Sequence, residues 1–473
     1  MNLTHEPLKI LFFSLLLLFG ATTAAQYSVE LSQVYGGSLE DEGHAVDESE
    51  DGFIVVGGRS FSSDGDVNSN QDGSDYWVMQ LTTDGDTMWS KSFGGSHNDD
   101  LRALTQSADG HIATFGTTWS DDGDVTNNPG VIGAWLLTLD ALGNPLVSRV
   151  YAGALGEQGV DIVALADGGY TLLVQSTSPV LEGAVNNGNF DYWVARTNAQ
   201  GATLWAKFFG GSEADLASQV IRVPGGFVIA GSSSSSDGNV TQNQGGFDYW
   251  IVKIDVNGAL QWQRSFGGSG DDLASDLLQL PDGSMVIVGT SDSQDGDKTV
   301  SYGGTDVWVV KIDANGNLLW ERTYGGTSDD AGTKLSPIDN DQYAMMAQTE
   351  STDIHLTGNK GMQDTWIVFL DGNGNIERQM NYGGSADDFG RDIALGANGT
   401  LYFCGSTFSE NGNLPNTDLE EENLWLLSLE IDTAVCTPND ECFVMDVGQG
   451  IIEVASNGPI VCSASCNIGT QPG

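Results

Sequence analysis

The chain has 473 residues, with 65 acidic against 17 basic side chains and a formal net charge of −48. That balance argues against a nucleic-acid partner, which needs clustered Lys and Arg, and it disfavours anionic lipid and polyanionic glycans unless a bound cation intervenes. With 63 glycines, 11 prolines and 40% hydrophobic residues, the composition fits many short strands joined by turns around an ample core.

Residues 1–25 read as an export signal. Lys9 precedes the apolar run Ile10 to Phe19, followed by Gly20 and Ala21-Thr22-Thr23-Ala24-Ala25. The run is too short to span a bilayer and ends on the small residues a signal peptidase requires. No Cys stands at the junction, so a lipoprotein anchor is not expected, and no later segment predicts membrane insertion. The mature chain is expected to be secreted or held at the cell surface.

From residue 26 to 432 the chain repeats. An aromatic-Gly-Gly-Ser/Thr motif begins at Tyr35, Phe93, Phe209, Phe266, Tyr324 and Tyr382, with a degenerate copy at Tyr151, at intervals of 58, 58, 58, 57, 58 and 58 residues. A second column, Trp77, Trp135, Trp193, Trp250, Trp308, Trp366 and Trp425, keeps the same step. Each unit divides into four strands. In the first unit these are the segment around His44 to Glu48, the run Phe53 to Gly58, the run Tyr76 to Leu81, and Thr87 to Phe93. Asp51-Gly52 and Asp84-Gly85 supply the hairpin turns, where positive φ is needed.

Four antiparallel strands in a unit of this length predict a propeller blade; a solenoid of β-turns would need shorter repeats. The seventh unit lacks its outermost strand, and Leu31, Gln33 and Tyr35 align with Trp89, Lys91 and Phe93. The expectation is an all-β, seven-bladed β-propeller closed by the N-terminal strand, which removes a loose sheet edge.

Several columns of polar residues accompany the repeat. Lys91, Arg149, Lys207, Arg264 and Arg322 fall on the outermost strand, where positive charge discourages edge-to-edge pairing. A carboxylate follows each aromatic by six residues: Asp41, Asp99, Glu157, Asp215, Asp272, Asp330 and Asp388. These read as acceptors for turn amides that keep adjacent blades in register. Asp75, Asp191, Asp248, Asp306 and Asp364 precede the tryptophans and read as structural caps. The longer loop carries Asp64-Gly65-Asp66, Asp122-Gly123-Asp124, Asp237-Gly238-Asn239 and Asp295-Gly296-Asp297, degenerating in units three, six and seven to Val180/Glu182, Asp353/His355 and Gly412/Leu414. Alternating oxygens around a glycine suit calcium, the cofactor weighed here against turn formation without metal; no bidentate Glu follows at EF-hand spacing.

Along the inner strands, Ala45, Ala103, Asp161, Gln219, Asp276, Lys334 and Asp392 are expected to face the axis. Three aspartates and a lysine could act as acid and base, or only solvate the channel. The four mature histidines, His44, His97, His111 and His355, occupy unrelated repeat positions, and there is no serine or cysteine nucleophile motif. After residue 432 comes a cysteine-containing segment. Cys436, Cys442, Cys462 and Cys466 read as two disulfides of open connectivity, with a zinc site the weaker alternative, and Cys404 as a buried free thiol.

The motifs Phe266-Gly267-Gly268-Ser269, Gln294-Asp295-Gly296-Asp297, Asp306-Val307-Trp308 and Gly316-Asn317-Leu318-Leu319-Trp320 resemble repeats in large secreted proteins of Bacteroidetes-type bacteria. The resemblance covers residues 30 to 430 and implies secretion and a propeller, with no uniform activity. The sequence therefore predicts a secreted or cell-surface binding or scaffold propeller contacting glycan or protein, of no fixed oligomeric state. The alternative is an extracellular polysaccharide lyase or glycoside hydrolase with its site near Glu182, Asp161 or His355.

Overall fold

The computed structural model describes residues 26–432, apart from residues 50, 108, 131, 340, 357 and 414–420. The export signal, Leu414 and the four cysteines beyond residue 432 lie outside the described residues. Residues 28–430 form one compact unit; residues 1–27 and 431–473 group separately.

Seven four-stranded antiparallel sheets make up the body. The first comprises Asp41–Glu48, Ile54–Ser60, Asp75–Leu81 and Thr87–Phe93, from the axis outward. The strands begin up to three residues earlier than the apolar runs alone mark, because the polar residues that open them also pair. Blades two to six repeat this order, and the seventh takes Asp388–Leu395, Leu401–Thr407 and Asn423–Asp432 with Gln26–Tyr35 as its outermost strand. The protein is thus a seven-bladed β-propeller in which chain start and chain end share one sheet. Unit three adds a small hairpin, Val180–Leu181 against Ala184–Val185.

Burial follows from stacking sheet on sheet. The third strand of a blade is covered on both faces, so Asp75–Leu81 and Gly133–Leu139 are buried throughout, whereas the outer strand Thr87–Phe93 alternates. Each core is shared by two blades: Ala45, Val55, Tyr76, Val78 and Phe93 of the first pack with Leu101, Trp135 and Leu137 of the second. The tryptophan column fills these seams. Trp135 meets Tyr76 of the preceding blade at 4.5 Å between ring centroids, and Trp250 meets Tyr192 at 4.9 Å. Its indole N–H would be costly to bury unpaired. Trp77 donates to Ser90 Oγ at 2.9 Å, Trp308 to Glu321 Oε2 at 2.9 Å and Trp366 to Gln379 Oε1 at 3.0 Å, each 13 residues on, whereas Trp193 donates to Leu181 O at 3.3 Å. Trp425 has no such residue in sequence and reaches Ser32 Oγ on the N-terminal strand at 3.5 Å.

The basic column on the outer strands has a more specific task than discouraging aggregation. Lys91 Nζ donates to the carbonyls of Leu142 and Gly143 at 2.8 and 2.9 Å, on the outer hairpin of the next blade. Arg264 similarly reaches Asn315 O at 3.4 Å. These cations clamp neighbouring blades at the rim.

Candidate functional site

The acidic columns converge on the loops between blades. All seven carboxylates that follow the aromatic motif are buried. Asp99 Oδ2 accepts the Gly95 amide at 2.9 Å and the Ser120 hydroxyl at 2.8 Å. Asp41, Glu157, Asp215, Asp272, Asp330 and Asp388 accept the corresponding amides of Gly37, Gly153, Gly211, Gly268, Gly326 and Gly384 at 2.6–2.8 Å.

The Asp-Gly-Asp loops bind the same Gly-Gly turn from its other side. Asp64, Asp122, Asp237 and Asp295 each use Oδ1 to accept the amide of Ser38, Ser96, Ser212 or Ser269 at 2.7–2.8 Å. Asp66, Asp124, Asn239 and Asp297 accept the amide of the first glycine, from Gly36 at 3.1 Å to Gly94 at 3.3 Å. The central glycine is obligatory: Gly65 has φ +64°, and a Cβ there would meet Gly36 O at 2.3 Å. The degenerate sixth unit keeps this geometry, because Asp353 Oδ1 accepts the Thr327 amide at 2.9 Å and His355 Nδ1 takes the place of the second carboxylate on Gly325 N at 3.2 Å. The oxygens offered to calcium are therefore engaged by backbone amides. Among the described residues no group of three or more His, Cys, Asp or Glu side chains is arranged to hold a metal ion.

The aspartates that open the third strands sit against this cluster. Asp75 Oδ2 accepts Gln71 N at 3.0 Å while its buried Oδ1 has no hydrogen-bond partner. Burial, and then the negative charge of Asp99, push Asp75 up to about 7; burial and Asp215 do the same to Asp191. Asp248 and Asp364 are pushed up to about 6, by burial first and then by Asp272 and Asp388.

At the axis, Lys334 gathers the inner strands of other blades. Its Nζ lies 3.2 Å from Gln219 Oε1, 3.7 Å from Asp276 Oδ1 and 3.8 Å from Asp392 Oδ1. Each axial aspartate also accepts the amide of the following blade's inner strand: Asp161 from Val220 at 2.8 Å, Asp276 from Leu335 at 2.7 Å and Asp392 from Val46 at 3.0 Å. Burial raises all three, Asp161 to about 6, against the opposing charge of Lys334. The aspartate charges hold Lys334 above its ordinary value despite burial. A lysine so held is a poor nucleophile or base, and the ring is an electrostatic tie between blades.

The three alternative positions weighed for an enzyme site are each engaged by neighbours. Asp161 is bound at the axis, Glu182 pairs with Arg149 at 3.4 Å on a left-handed turn (φ +46°), and His355 holds the loop of the sixth unit, edge-on to Tyr302. Cys404 is buried and unpaired among the described residues, its thiol pushed up by burial.

A feature missed in the sequence lies just above the axial ring. Every inner strand carries a one-residue bulge at the same position, between Gly43 and Ala45 in the first blade and between Gly390 and Asp392 in the last. Such a bulge re-aims side chains. Around the first of them His44 Nε2 meets Glu42 Oε2 at 2.8 Å, Arg59 pairs with Glu42, and Arg59 Nη1 lies 3.4 Å from Asp100 Oδ2. Burial opposes ionisation of Glu42, but His44 and Arg59 outweigh it and pull the carboxyl down to about 2. The signal in the sequence was the basic character of positions 44, 102 and 391, which share one repeat position.

No family model matches the chain. The regulatory protein FlaEY of Caulobacter vibrioides is 25% identical over 262 residues, covering 51% of this chain and 26% of that protein, so the match spans about a quarter of its length. Among solved structures, Sqt1 from Chaetomium thermophilum is similar with a TM-score of 0.43 and 13% identity, covering 84% of this chain and 90% of that one. A protein of unknown function from Bacteroides caccae (TM-score 0.38, 12% identity) covers 65% of this chain and 90% of its own. A puromycin hydrolase (TM-score 0.47, 12% identity) covers 80% of this chain and 53% of its own. At these identities the likeness concerns the fold alone.

Proposed function

We propose that the protein is a secreted or cell-surface binding module, a rigid propeller that contacts a glycan or protein ligand with the face carrying the Gly-Gly loops. The supporting observation is the use made of the repeated polar residues. The carboxylates of the inter-blade and Asp-Gly-Asp loops are engaged by amides and hydroxyls of the seams, which makes this face a regular platform. Export is supported by Lys9 and the apolar run that follows it.

The test is a binding and activity screen on the purified full chain. Immobilised plant and marine polysaccharides and surface proteins supply the ligands, and the same polysaccharides are assayed for new reducing ends or unsaturated products. Retention without turnover is the expected result. Turnover that disappears in an axial variant such as Asp161→Asn would replace this reading with a lyase or hydrolase.

A further inference from the structure

The seven bulged positions are His44, Arg102, Val160, Ser218, Ser275, Thr333 and Arg391. Blades three to six place neutral residues there, whereas three consecutive blades, the seventh, first and second, place Arg391, His44 and Arg102. Two of these side chains reach the following blade: His44 Nδ1 lies 2.6 Å from Leu101 O, and Ser218 Oγ donates to Ala274 O at 2.6 Å, whereas Thr333 Oγ1 donates to Met346 O of its own blade at 3.1 Å. The Arg391 guanidinium has Glu42, Arg59, Arg102 and Glu422 within electrostatic reach across the ring closure.

The three arginines differ in what they have to bind. Arg59 is committed to Glu42 and Asp100. Arg102 and Arg391 are exposed, and among the described residues neither side chain has a hydrogen bond or an ion pair. Arg391 lies over the Phe389 ring at 5.1 Å, and Phe389 meets Phe408 edge-on with ring centroids 6.5 Å apart. Phe408 is 41% exposed. In a chain with 65 acidic residues, two exposed guanidinium groups are thus without an ion pair among the described residues, and Arg391 lies beside an open aromatic surface.

We infer that Arg102 and Arg391 hold the carboxylate of an acidic sugar whose ring lies against Phe389 and Phe408. The planar fork of a guanidinium matches a carboxylate with two parallel hydrogen bonds, and the phenyl faces offer apolar area that an inorganic oxyanion would not use. The net charge of −48 repels long polyanions, so the ligand carries a single charge, as in a terminal uronate. The buried Glu42–His44–Arg59–Asp100 network beneath fixes the strands that present both arginines. The inference rests on the binding-module reading and names its ligand class.

Calorimetric titration of the full chain with galacturonate, galactose, inorganic phosphate and polygalacturonate tests it. Galacturonate is expected to bind in low salt, with galactose, phosphate and polygalacturonate each weaker by about tenfold or more, a gap of about 1.4 kcal/mol per decade. Arg102→Gln with Arg391→Gln, and separately Phe408→Ala, should each weaken galacturonate by a similar factor while leaving the melting curve unchanged. Undiminished galacturonate binding in the folded double-arginine variant overturns the inference, as does phosphate bound as tightly as galacturonate and indifferent to Phe408→Ala, or no galacturonate binding by the wild type. A ligand from the preceding screen that the double variant still retains would leave the binding-module reading standing; retention of nothing by either protein would end both.

Discussion

The ammonium of Lys298 lies 3.0 Å from Asp306 Oδ2 and 2.8 Å from the Ser291 carbonyl, and neither ionic side chain touches water. In sister blades that carbonyl position is served by an asparagine: Asn70 donates to Ser60 O at 2.9 Å, Asn243 to Ser233 O at 3.0 Å and Asn359 to Thr349 O at 3.1 Å. The fifth blade has Ser301 in the asparagine's place and Lys298 in a slot filled elsewhere by Val67, Val125 and Val240. Two departures from the repeat thus compensate each other.

Removing one partner of a buried ion pair leaves the other unsatisfied, at a cost of about 3–5 kcal/mol. Lys298→Val should destabilise the protein by that amount in chemical denaturation. Adding Ser301→Asn restores the sister-blade arrangement and should recover most of the loss. A double variant no more stable than the single one would refute the compensation.

The buried aspartates set a pH dependence whose sign can be worked out. Asp75 and Asp191, at about 7, and Asp248 and Asp364, at about 6, all lie above their ordinary value of 3.8. Between those limits the folded chain binds more protons than the unfolded one, so stability falls as pH rises through the window. The melting temperature should be higher near about pH 5 than near about pH 8. Changing Asp75 and Asp191 to Asn should flatten the slope between them.

Lys334 faces three aspartates at the axis and keeps 26% of its side chain open. Lys334→Met removes the only described cation among them and forces like charges together. The variant should lose about 1–3 kcal/mol, the usual cost of a polar group left unsatisfied, and the loss should be larger at about pH 8 than at about pH 5, where Asp161 gains its proton. Urea denaturation at the two pH values reads this directly.

For the Asp-Gly-Asp loops the geometry predicts insensitivity to metal. Chelator should leave the melting temperature unchanged, since one oxygen of each side chain already accepts an amide, whereas Asp122→Ala should lower it through the lost contact with the Ser96 amide. A chelator-induced fall of several degrees would return these loops to calcium.

The fold was legible because its signals are periodic. A tryptophan every 58 residues or so marks a position buried in every seam, and the missing outer strand of the seventh unit pointed straight to residues 31–35. The axial ring was legible in part: counting one position back from Leu277 or Leu335 found Asp276 and Lys334 correctly. The bulge beside them escaped because an extra residue leaves no trace in hydrophobic alternation, and Arg102 and Arg391 look like ordinary strand charges. For the Asp-Gly-Asp oxygens the sequence left two readings open, since metal ligands and amide acceptors use the same side chains at the same spacing. The asparagines that meet strand carbonyls, such as Asn70 and Asn243, were not singled out, because a polar residue in a long loop gives no hint of which carbonyl it will meet.

The strand Gln26–Tyr35 has no partner until Asn423–Asp432 has been made. During synthesis the opening segment must therefore wait, through six finished blades, as an adhesive ribbon with every amide unspent. A copy that has made Asn423–Asp432 without recapturing its own first strand offers that ribbon an open edge. Closure of the wheel within one chain removes both loose edges at once.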